Sequence, residues 1–189
     1  MIKWTDTQLA QYDCNLCGLR NHEDIFQRPD GFQIVQCKSC GLVYLNPRPK
    51  EDLIPLLYDR DYFMSPSSIG FDNYFSDETR QGMLRTSKMR LRVLGEAGIK
   101  SFAKAMEFGC GTGEFCHVIH NMGVSVTGID ISESAITEAR SRYKAIPFHV
   151  GTIEDVDPEV KYDALFAFEV IEHLTNPDRF FAKASFLLA

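Results

Sequence analysis

Apolar runs and helix-like segments alternate along the second half of the chain. Four runs have the length and composition of buried strands, and they cover residues 102–108, 124–130, 146–150 and 162–168. Helices are predicted over residues 114–122, 132–142 and 180–188, the second with Ser132 as its N-cap and the third introduced by Pro177. This alternation is typical of an α/β fold, in which a parallel sheet carries helices on both faces.

The first half of the chain lacks this alternation. Residues 50–75 are rich in tyrosine and phenylalanine, including Phe71, which predicts packing on a neighbouring domain, as plain contact or as part of a pocket roof. Residues 77–97 predict a helix that stops at Gly98, and the prolines of Leu45–Pro49 mark a boundary. We therefore expect three parts, which are a small module over residues 1–49, a connector over residues 50–98, and a domain over residues 99–189.

A glycine-rich turn follows the first strand of the second half. Residues 107–113 are Glu-Phe-Gly-Cys-Gly-Thr-Gly and connect this strand to a helix. Glycine accepts positive φ and has no side chain, so backbone N–H groups at the start of the helix can touch a bound molecule. The second strand ends in Asp130, where a ribose diol lies in nucleotide-binding sheets. The combination predicts a cofactor that contains a nucleoside.

The residue that follows the last glycine narrows the choice of cofactor. A nicotinamide-binding turn has Gly or Ala three places after its middle glycine, and this chain has Glu114 there. We expect carboxylates at Glu107 and Glu114 to repel a pyrophosphate and to suit a ligand that carries an ammonium and a sulfonium. The alternative is an ordinary strand-to-helix turn without a ligand.

With its acid-x-Gly-x-Gly-x-Gly segment, the chain resembles the class I S-adenosylmethionine-dependent methyltransferases. The resemblance implies a Rossmann-like parallel sheet, incomplete here with about four strands, and S-adenosyl-L-methionine as the cofactor. At the adenine site Thr152 stands where many relatives have Asp, and Glu154 with Asp155 alternatively caps a following turn. The implied cofactor-binding residues are Glu107, Gly109, Cys110, Gly111, Gly113, Asp130, Ile131, Thr152, Ile153, Glu154 and Glu169.

Residues 169–173, Glu-Val-Ile-Glu-His, resemble the fourth motif of the same family, where the methyl group meets its acceptor. If they start a helix, Glu169 lies near Glu172 and His173 at i,i+3 and i,i+4 spacing. His173 is the candidate for taking a proton from an acceptor hydroxyl, because imidazole exchanges a proton near neutral pH. The predicted catalytic residues are His173, Glu169 and Glu172. The same side chains could instead hold a metal or bond to loop backbone.

The cysteines of the first module have the spacing of a metal site. Cys14-x-x-Cys17-Gly and Cys37-x-x-Cys40-Gly are separated by nineteen residues, and a strand-like run at residues 31–36 leads into the second pair. Four thiolates complete a tetrahedral shell, so we expect a structural Zn²⁺ without an open position for chemistry. The alternatives are two disulfides or a redox Cys-x-x-Cys pair. The remaining cysteines, Cys110 and Cys116, are expected to be small buried or loop residues.

Composition and charge exclude several classes of protein. The chain has 189 residues, 20 basic and 26 acidic, and its net charge of −6 argues against a broad nucleic-acid footprint. A local basic patch nevertheless exists, most simply as a solvated helix face, and consists of Arg80, Arg85, Lys88, Arg90 and Arg92. The sequence contains neither a signal peptide nor an apolar run of membrane-spanning length, so we expect a cytoplasmic protein without membrane contact.

The arrangement of a four-cysteine ribbon ahead of this domain resembles that of a bacterial group of enzymes that methylate sugars and other small metabolites. The resemblance implies an enzyme that methylates a sugar-like or other small acceptor. One alternative is a nucleic-acid methyltransferase or RNA-binding zinc module, and another is a non-catalytic, truncated relative. Relatives carry further strands after the last helix, so we expect a fragment, or a homodimer that covers the apolar edge strand at residues 162–168.

Overall fold

The computed structural model describes residues 4–29, 31–58, 60–64, 73–99 and 101–189. Phe71 and part of the aromatic connector lie outside these residues. The chain forms two compact units. One comprises the residues up to Leu57 together with Thr175–Asp178, and the other comprises Tyr58–Leu174 and Arg179–Ala189. The three-part division expected from the sequence stays a prediction.

The first unit is built from short antiparallel strands. Strands β1 (Leu9–Ala10) and β5 (Arg48–Pro49) pair with each other. Strands β2 (His22–Gln27), β3 (Gln33–Cys37) and β4 (Val43–Leu45) form a three-stranded sheet with β3 in the middle. A 3-10 helix, Asp6–Gln8, precedes β1, and a second one, Glu51–Tyr58, follows β5. The strand expected before the second cysteine pair is therefore β3.

The second unit contains the predicted parallel sheet. Its strands are β6 (Lys104–Phe108), β7 (Ser125–Asp130), β8 (Phe148–Val150) and β9 (Ala164–Ala167). They lie in the order β8-β7-β6-β9, and all three pairs are parallel. The α/β fold class and the four strands are thereby confirmed, each strand somewhat shorter than predicted.

Five α-helices accompany the sheet in the described part of the chain. They are α1 (Arg60–Met64), α2 (Asp77–Glu96), α3 (Glu114–His120), α4 (Glu133–Arg142) and α5 (Pro177–Leu187). Ser76 caps α2 by accepting the N–H of Thr79, and Ser132 caps α4 in the same way through Ala135. Capping by short polar side chains thus sets where these two helices begin.

Both faces of the sheet are covered. On β6, Ala105 belongs to one buried cluster with Val126 and Phe166, whereas Met106 and Phe108 belong to a second cluster. Because successive strand residues point to opposite faces, this alternation shows a core on each side of the sheet. At the edge, β9 pairs with β6 alone among the named strands, and Tyr162 forms one parallel bridge to Leu188.

Two glycines with nearly the same φ differ in the space around them. A Cβ on Gly113 (φ +87°) would lie 2.7 Å from Phe148 Cζ, whereas a Cβ on Gly123 (φ +88°) would meet nothing within 4 Å. We expect Gly113→Ala to lower the free energy of unfolding by about 2–5 kcal/mol, since overlap adds to the backbone strain. Gly123→Ala, which adds strain alone, should cost about 1–2 kcal/mol in the same urea titrations. Equal losses in the two variants would contradict the close packing of Phe148.

Candidate functional site

The glycine turn between β6 and α3 is shaped by its neighbours on one side and open on the other. Gly109 has φ +66°, and a Cβ there would lie 2.4 Å from Val170 Cγ2. Gly111 also has positive φ, +51°, but a Cβ there would meet nothing within 4 Å. Since Gly111 faces open space, the turn leaves room for a ligand against its backbone.

Asp130 joins the end of β7 to this turn. Its Oδ2 accepts the Gly111 N–H at 2.9 Å, and its Oδ1 accepts the Ser132 N–H at 2.8 Å. Burial raises the pKa of Asp130, and hydrogen bonds from Ser132, Gly111 and Ile131 oppose that rise. Backbone donors therefore hold the carboxylate in one orientation. It lies at the carboxyl ends of the parallel strands, which is where nucleosides bind in sheets of this kind.

Glu107 lies beneath the turn and is only 4% exposed. Its carboxyl accepts the thiol of Cys116 at 3.1 Å and also the Cys116 backbone N–H. Burial raises the pKa of Glu107 to about 8, although Cys116 and the charge of Arg90 act in the opposite direction. Among the described residues, neither Glu107 nor Asp130 forms an ion pair.

The role expected for Glu114 is wrong. Its side chain is 2% exposed and forms an ion pair with Arg142 at 3.1 Å. It also accepts the hydroxyl of Thr112 at 2.6 Å. The negative charge is thus neutralised inside the protein, so repulsion of a pyrophosphate cannot rest on Glu114.

Cys110 turns its side chain away from the open face of the turn. Its thiol is buried, and a Cβ on Gly128 would lie 2.8 Å from the Cys110 sulfur. Its N–H donates to the carbonyl of Ile129 at 3.2 Å. Cys110 and Cys116 are both buried, which is one of the two places that the sequence analysis expected for them. The Cys116 thiol also donates a hydrogen bond to the Glu107 carboxyl.

The segment after β8 forms a capped 3-10 helix, Ile153–Asp155. Asp155 accepts the Thr152 N–H at 2.8 Å, which is the capping arrangement that the sequence left open. Glu154 pairs with Arg179 at 2.9 Å, and Ile153 is buried. Thr152 and Glu154 are exposed, so this segment presents backbone and polar atoms next to β8.

The acidic segment after β9 does not start an α-helix. Glu169 has φ +58°, and a single 3-10 turn, Ile171–His173, follows it. The expected helical i,i+3 and i,i+4 spacing is therefore wrong, because Glu169 lies before the turn in a left-handed conformation. The Glu169 carboxylate accepts a hydrogen bond from the Arg90 guanidinium at 2.9 Å. Glu169, Glu172 and His173 are all exposed.

Two residues join this group that sequence reasoning missed. The ring of Tyr58 packs edge-on against His173, with centroids 6.0 Å apart, and against Tyr62 at 5.1 Å. Burial, and then the charges of Tyr62, Asp130 and Glu172, raise the pKa of Tyr58 to about 12. Arg90 lies over the ring of Phe168, 4.3 Å from its centroid. Aromatic density pointed to the connector as a whole, but no local signal singled out Tyr58 or Arg90.

The first unit brings the four cysteines of the two pairs together. Their sulfur atoms all lie within 4.8 Å of one another, with Cys14 to Cys40 at 3.4 Å and Cys17 to Cys37 at 3.5 Å. All are free thiols, so the disulfide alternative does not describe this structure. Sulfurs around a tetrahedral Zn²⁺ lie about 3.8 Å apart, so the cluster fits the ion.

The backbone of the two cysteine turns supports the same conclusion. Gly18 N–H donates to Cys14 carbonyl at 2.8 Å, and Gly41 N–H donates to Cys37 carbonyl at 2.9 Å. The Cys40 N–H bonds to the Cys37 thiolate and, against the effect of burial, lowers the pKa of Cys37 to about 6. Both pairs therefore form equivalent turns that direct sulfur to one point.

Removal of the titratable Glu107 carboxyl should change how stability depends on pH. Its pKa is raised in the folded chain, so folding takes up a proton, and the contribution of Glu107 to the free energy of unfolding should fall as pH rises from about 5 to about 8. In Glu107→Gln this contribution is absent, so the slope of the free energy of unfolding against pH should be higher by up to about 1.4 kcal/mol per pH unit. Urea titrations across that range measure the slope, with Glu159→Gln at an exposed position as control. An unchanged slope in Glu107→Gln would show that the carboxyl is not held neutral.

Comparisons with known proteins agree with this geometry. Residues 106–189 match the family model described as a methyltransferase domain. Ubiquinone biosynthesis O-methyltransferase from Bradyrhizobium diazoefficiens is 27% identical over 120 residues, and the enzyme of that name from Bradyrhizobium sp. is 32% identical over 120 residues. Each match covers 55% of this chain and 47% of the relative, so the chain spans about half the length of these relatives.

A solved structure shows the same fold. The plantazolicin methyltransferase BpumL, in complex with a pentazolic desmethylPZN analog and SAH, aligns with a TM-score of 0.51 at 21% identity, over 73% of this chain and 55% of that chain. Among the described residues, no helix combines the length and the apolar character needed to cross a bilayer. Residues 106–189 thus match the methyltransferase-domain model and share the fold of a solved methyltransferase.

Proposed function

We propose that this chain binds S-adenosylmethionine at the carboxyl ends of β6 and β7 and directs its methyl group to a small acceptor. The observation that carries the proposal is the bond between Asp130 and the Gly111 N–H, next to the open face of the glycine turn. The relatives named as O-methyltransferases support methyl transfer as the reaction type. The chain matches about half of the length of each relative, so methyl transfer by this chain is a proposal.

The residues around the turn suit an adenosine-bearing ligand. Asp130 is fixed by backbone donors and keeps lone pairs that can accept the two hydroxyls of a ribose. Thr152, Ile153 and Glu154 offer the adenine contacts from the segment after β8. Glu107 places a carboxyl beneath the turn, and we assign Gly109, Cys110, Gly113 and Ile131 backbone contacts.

The acceptor-side chemistry belongs to the residues after β9. S-adenosylmethionine supplies an electrophilic methyl group on a sulfonium. Because that electrophile is strong, the protein has to align the acceptor and to remove a proton from it. His173 is exposed and its ring packs on Tyr58, so it can hold a proton from an acceptor hydroxyl in a fixed orientation. Glu169 and Glu172 complete the group, as proton-accepting neighbours or as metal ligands.

A small molecule is the acceptor class that we propose, either sugar-like or another small molecule. Two of the basic residues considered for nucleic-acid binding form contacts within the chain. Arg80 donates a hydrogen bond to the Tyr143 hydroxyl, and Arg90 forms an ion pair with Glu169. This use, together with the net charge of −6, disfavours the nucleic-acid alternative. A homodimer over the β9 edge and a cytoplasmic location stay predictions.

We also propose that Cys14, Cys17, Cys37 and Cys40 hold one structural Zn²⁺. The distances between their sulfurs and the bonds from backbone N–H groups support this ligand set. A four-sulfur shell has no open position, so the ion would stabilise the first unit without taking part in methyl transfer.

Calorimetric titration with S-adenosylmethionine tests the cofactor site. We expect Asp130→Asn to weaken binding by about tenfold or more, since a buried charged acceptor for hydroxyl groups is worth about 1.5–3 kcal/mol. Asp163→Asn is the matched control, because Asp163 accepts the N–H groups of Ala103 and Lys104 at the other end of the sheet. Equal affinity in all three proteins, or no binding by the unsubstituted chain, would contradict the proposed site.

Substitution of His173 separates catalysis from cofactor binding. We expect His173→Ala to lower kcat by about 100-fold or more, because general-base catalysis typically contributes 10²–10⁴-fold, while the Kd for S-adenosylmethionine changes little. Transfer of a labelled methyl group to a catechol and to a deoxysugar nucleotide measures kcat and distinguishes the two acceptor types. An unchanged kcat in His173→Ala would remove this histidine from the mechanism.

A further inference from the structure

Three buried polar atoms in the first unit lack a hydrogen-bond partner. They are His22 Nδ1, Tyr44 Oη and Arg48 Nε, and they are the three such side-chain atoms within the described residues. A buried donor without an acceptor costs about 1–3 kcal/mol, so unpartnered groups are rare in folded proteins. All three lie in the module that carries the four cysteines, so buried donors without an acceptor of their own stand close to that cluster.

The strand register places two of these residues on the cysteine face of the sheet. His22 is the direct cross-strand partner of Cys37, and Tyr44 is the partner of Val35, two residues before Cys37 on β3. Since residues i and i+2 of a strand share a face, and paired residues share it too, Tyr44 is the diagonal neighbour of Cys37. The two rings also meet edge-on, with centroids 6.2 Å apart.

The cysteine sulfurs differ in their access to water. Cys14 and Cys37 are 2% and 1% exposed, whereas Cys17 and Cys40 are solvent accessible. Four thiolates around a divalent ion leave a net charge of about −2 on the centre. Water can solvate the accessible sulfurs, but the buried pair depends on protein donors. Burial, followed by the charges of Cys14 and Cys37, raises the pKa of Tyr44, so its hydroxyl keeps its proton beside them.

We propose that the Tyr44 hydroxyl and the His22 Nδ1–H donate hydrogen bonds to the buried thiolates of the four-cysteine centre and thereby raise its affinity for Zn²⁺. This inference rests on the zinc ligand set proposed above. Tyr44 and His22 are positioning residues that act through the sulfurs. The guanidinium of Arg48, whose Nε is the third unpartnered atom, adds positive charge next to Tyr44.

Zinc binding by the full chain tests the proposal without any use of methyl transfer. The apo, reduced protein is titrated with zinc against a chromophoric chelator, and with Co²⁺ to record the sulfur-to-metal charge-transfer bands. Tyr44→Phe should weaken zinc binding by about 10-fold or more and shift those bands, since loss of an outer-shell partner costs 10–100-fold in affinity. Tyr12→Phe is the matched control, because it removes a hydroxyl from the same unit that bonds to the Pro49 carbonyl.

A second pair of variants keeps the test independent of how well Tyr44→Phe folds. In His22→Asn the amide can replace the Nδ1 donor, and in His22→Leu no donor remains. We expect His22→Asn to retain most of the affinity that His22→Leu loses. Affinities and charge-transfer bands equal to those of the unsubstituted chain, in both Tyr44→Phe and His22→Leu, would overturn the inference. An unsubstituted chain that binds no zinc would overturn the metal centre itself and leave the cofactor site untouched.

Discussion

The hydrogen bond from the Gly111 N–H to Asp130 is the contact on which the candidate site depends. It ties the turn after β6 to the end of β7, at 2.9 Å, and fixes a carboxylate next to open space. The two strands are neighbours in the parallel sheet, so the sheet itself brings the groups together. Without this bond the Asp130 carboxylate would not be held against the glycine turn, which is where a nucleoside site needs it.

Burial gives the three carboxyl groups around the turn different states. Glu107 is held neutral near pH 7 by desolvation, and Glu114 is neutralised by Arg142. Asp130 alone combines backbone donors with an open neighbour. Counting acidic residues in the sequence therefore overestimates the negative charge at the turn, because neither Glu107 nor Glu114 adds a free negative charge there. What favours the nucleoside is the position of one carboxylate more than the number of acidic residues.

The sequence predicted features whose determinants are close together along the chain. The strands, the glycine turn, the serine caps and the two cysteine turns are set by residues within a few positions of one another. The pairs that complete the site are not local: Arg90 and Glu169 are 79 residues apart, and Glu114 and Arg142 are 28 apart. Helical spacing failed at Glu169 because a non-glycine residue there has positive φ, which no propensity indicates.

The most direct test of the account is the amide resonance of Gly111 in a ¹⁵N-labelled protein titrated with S-adenosylmethionine. We expect this resonance and that of Ser132, whose N–H groups both donate to Asp130, to shift together and to saturate with the cofactor. The glycines of the cysteine turns, Gly18 and Gly41, should stay unchanged and serve as internal controls. Saturable shifts elsewhere in the chain, with Gly111 and Ser132 unmoved, would place the cofactor at a different site and contradict the central claim.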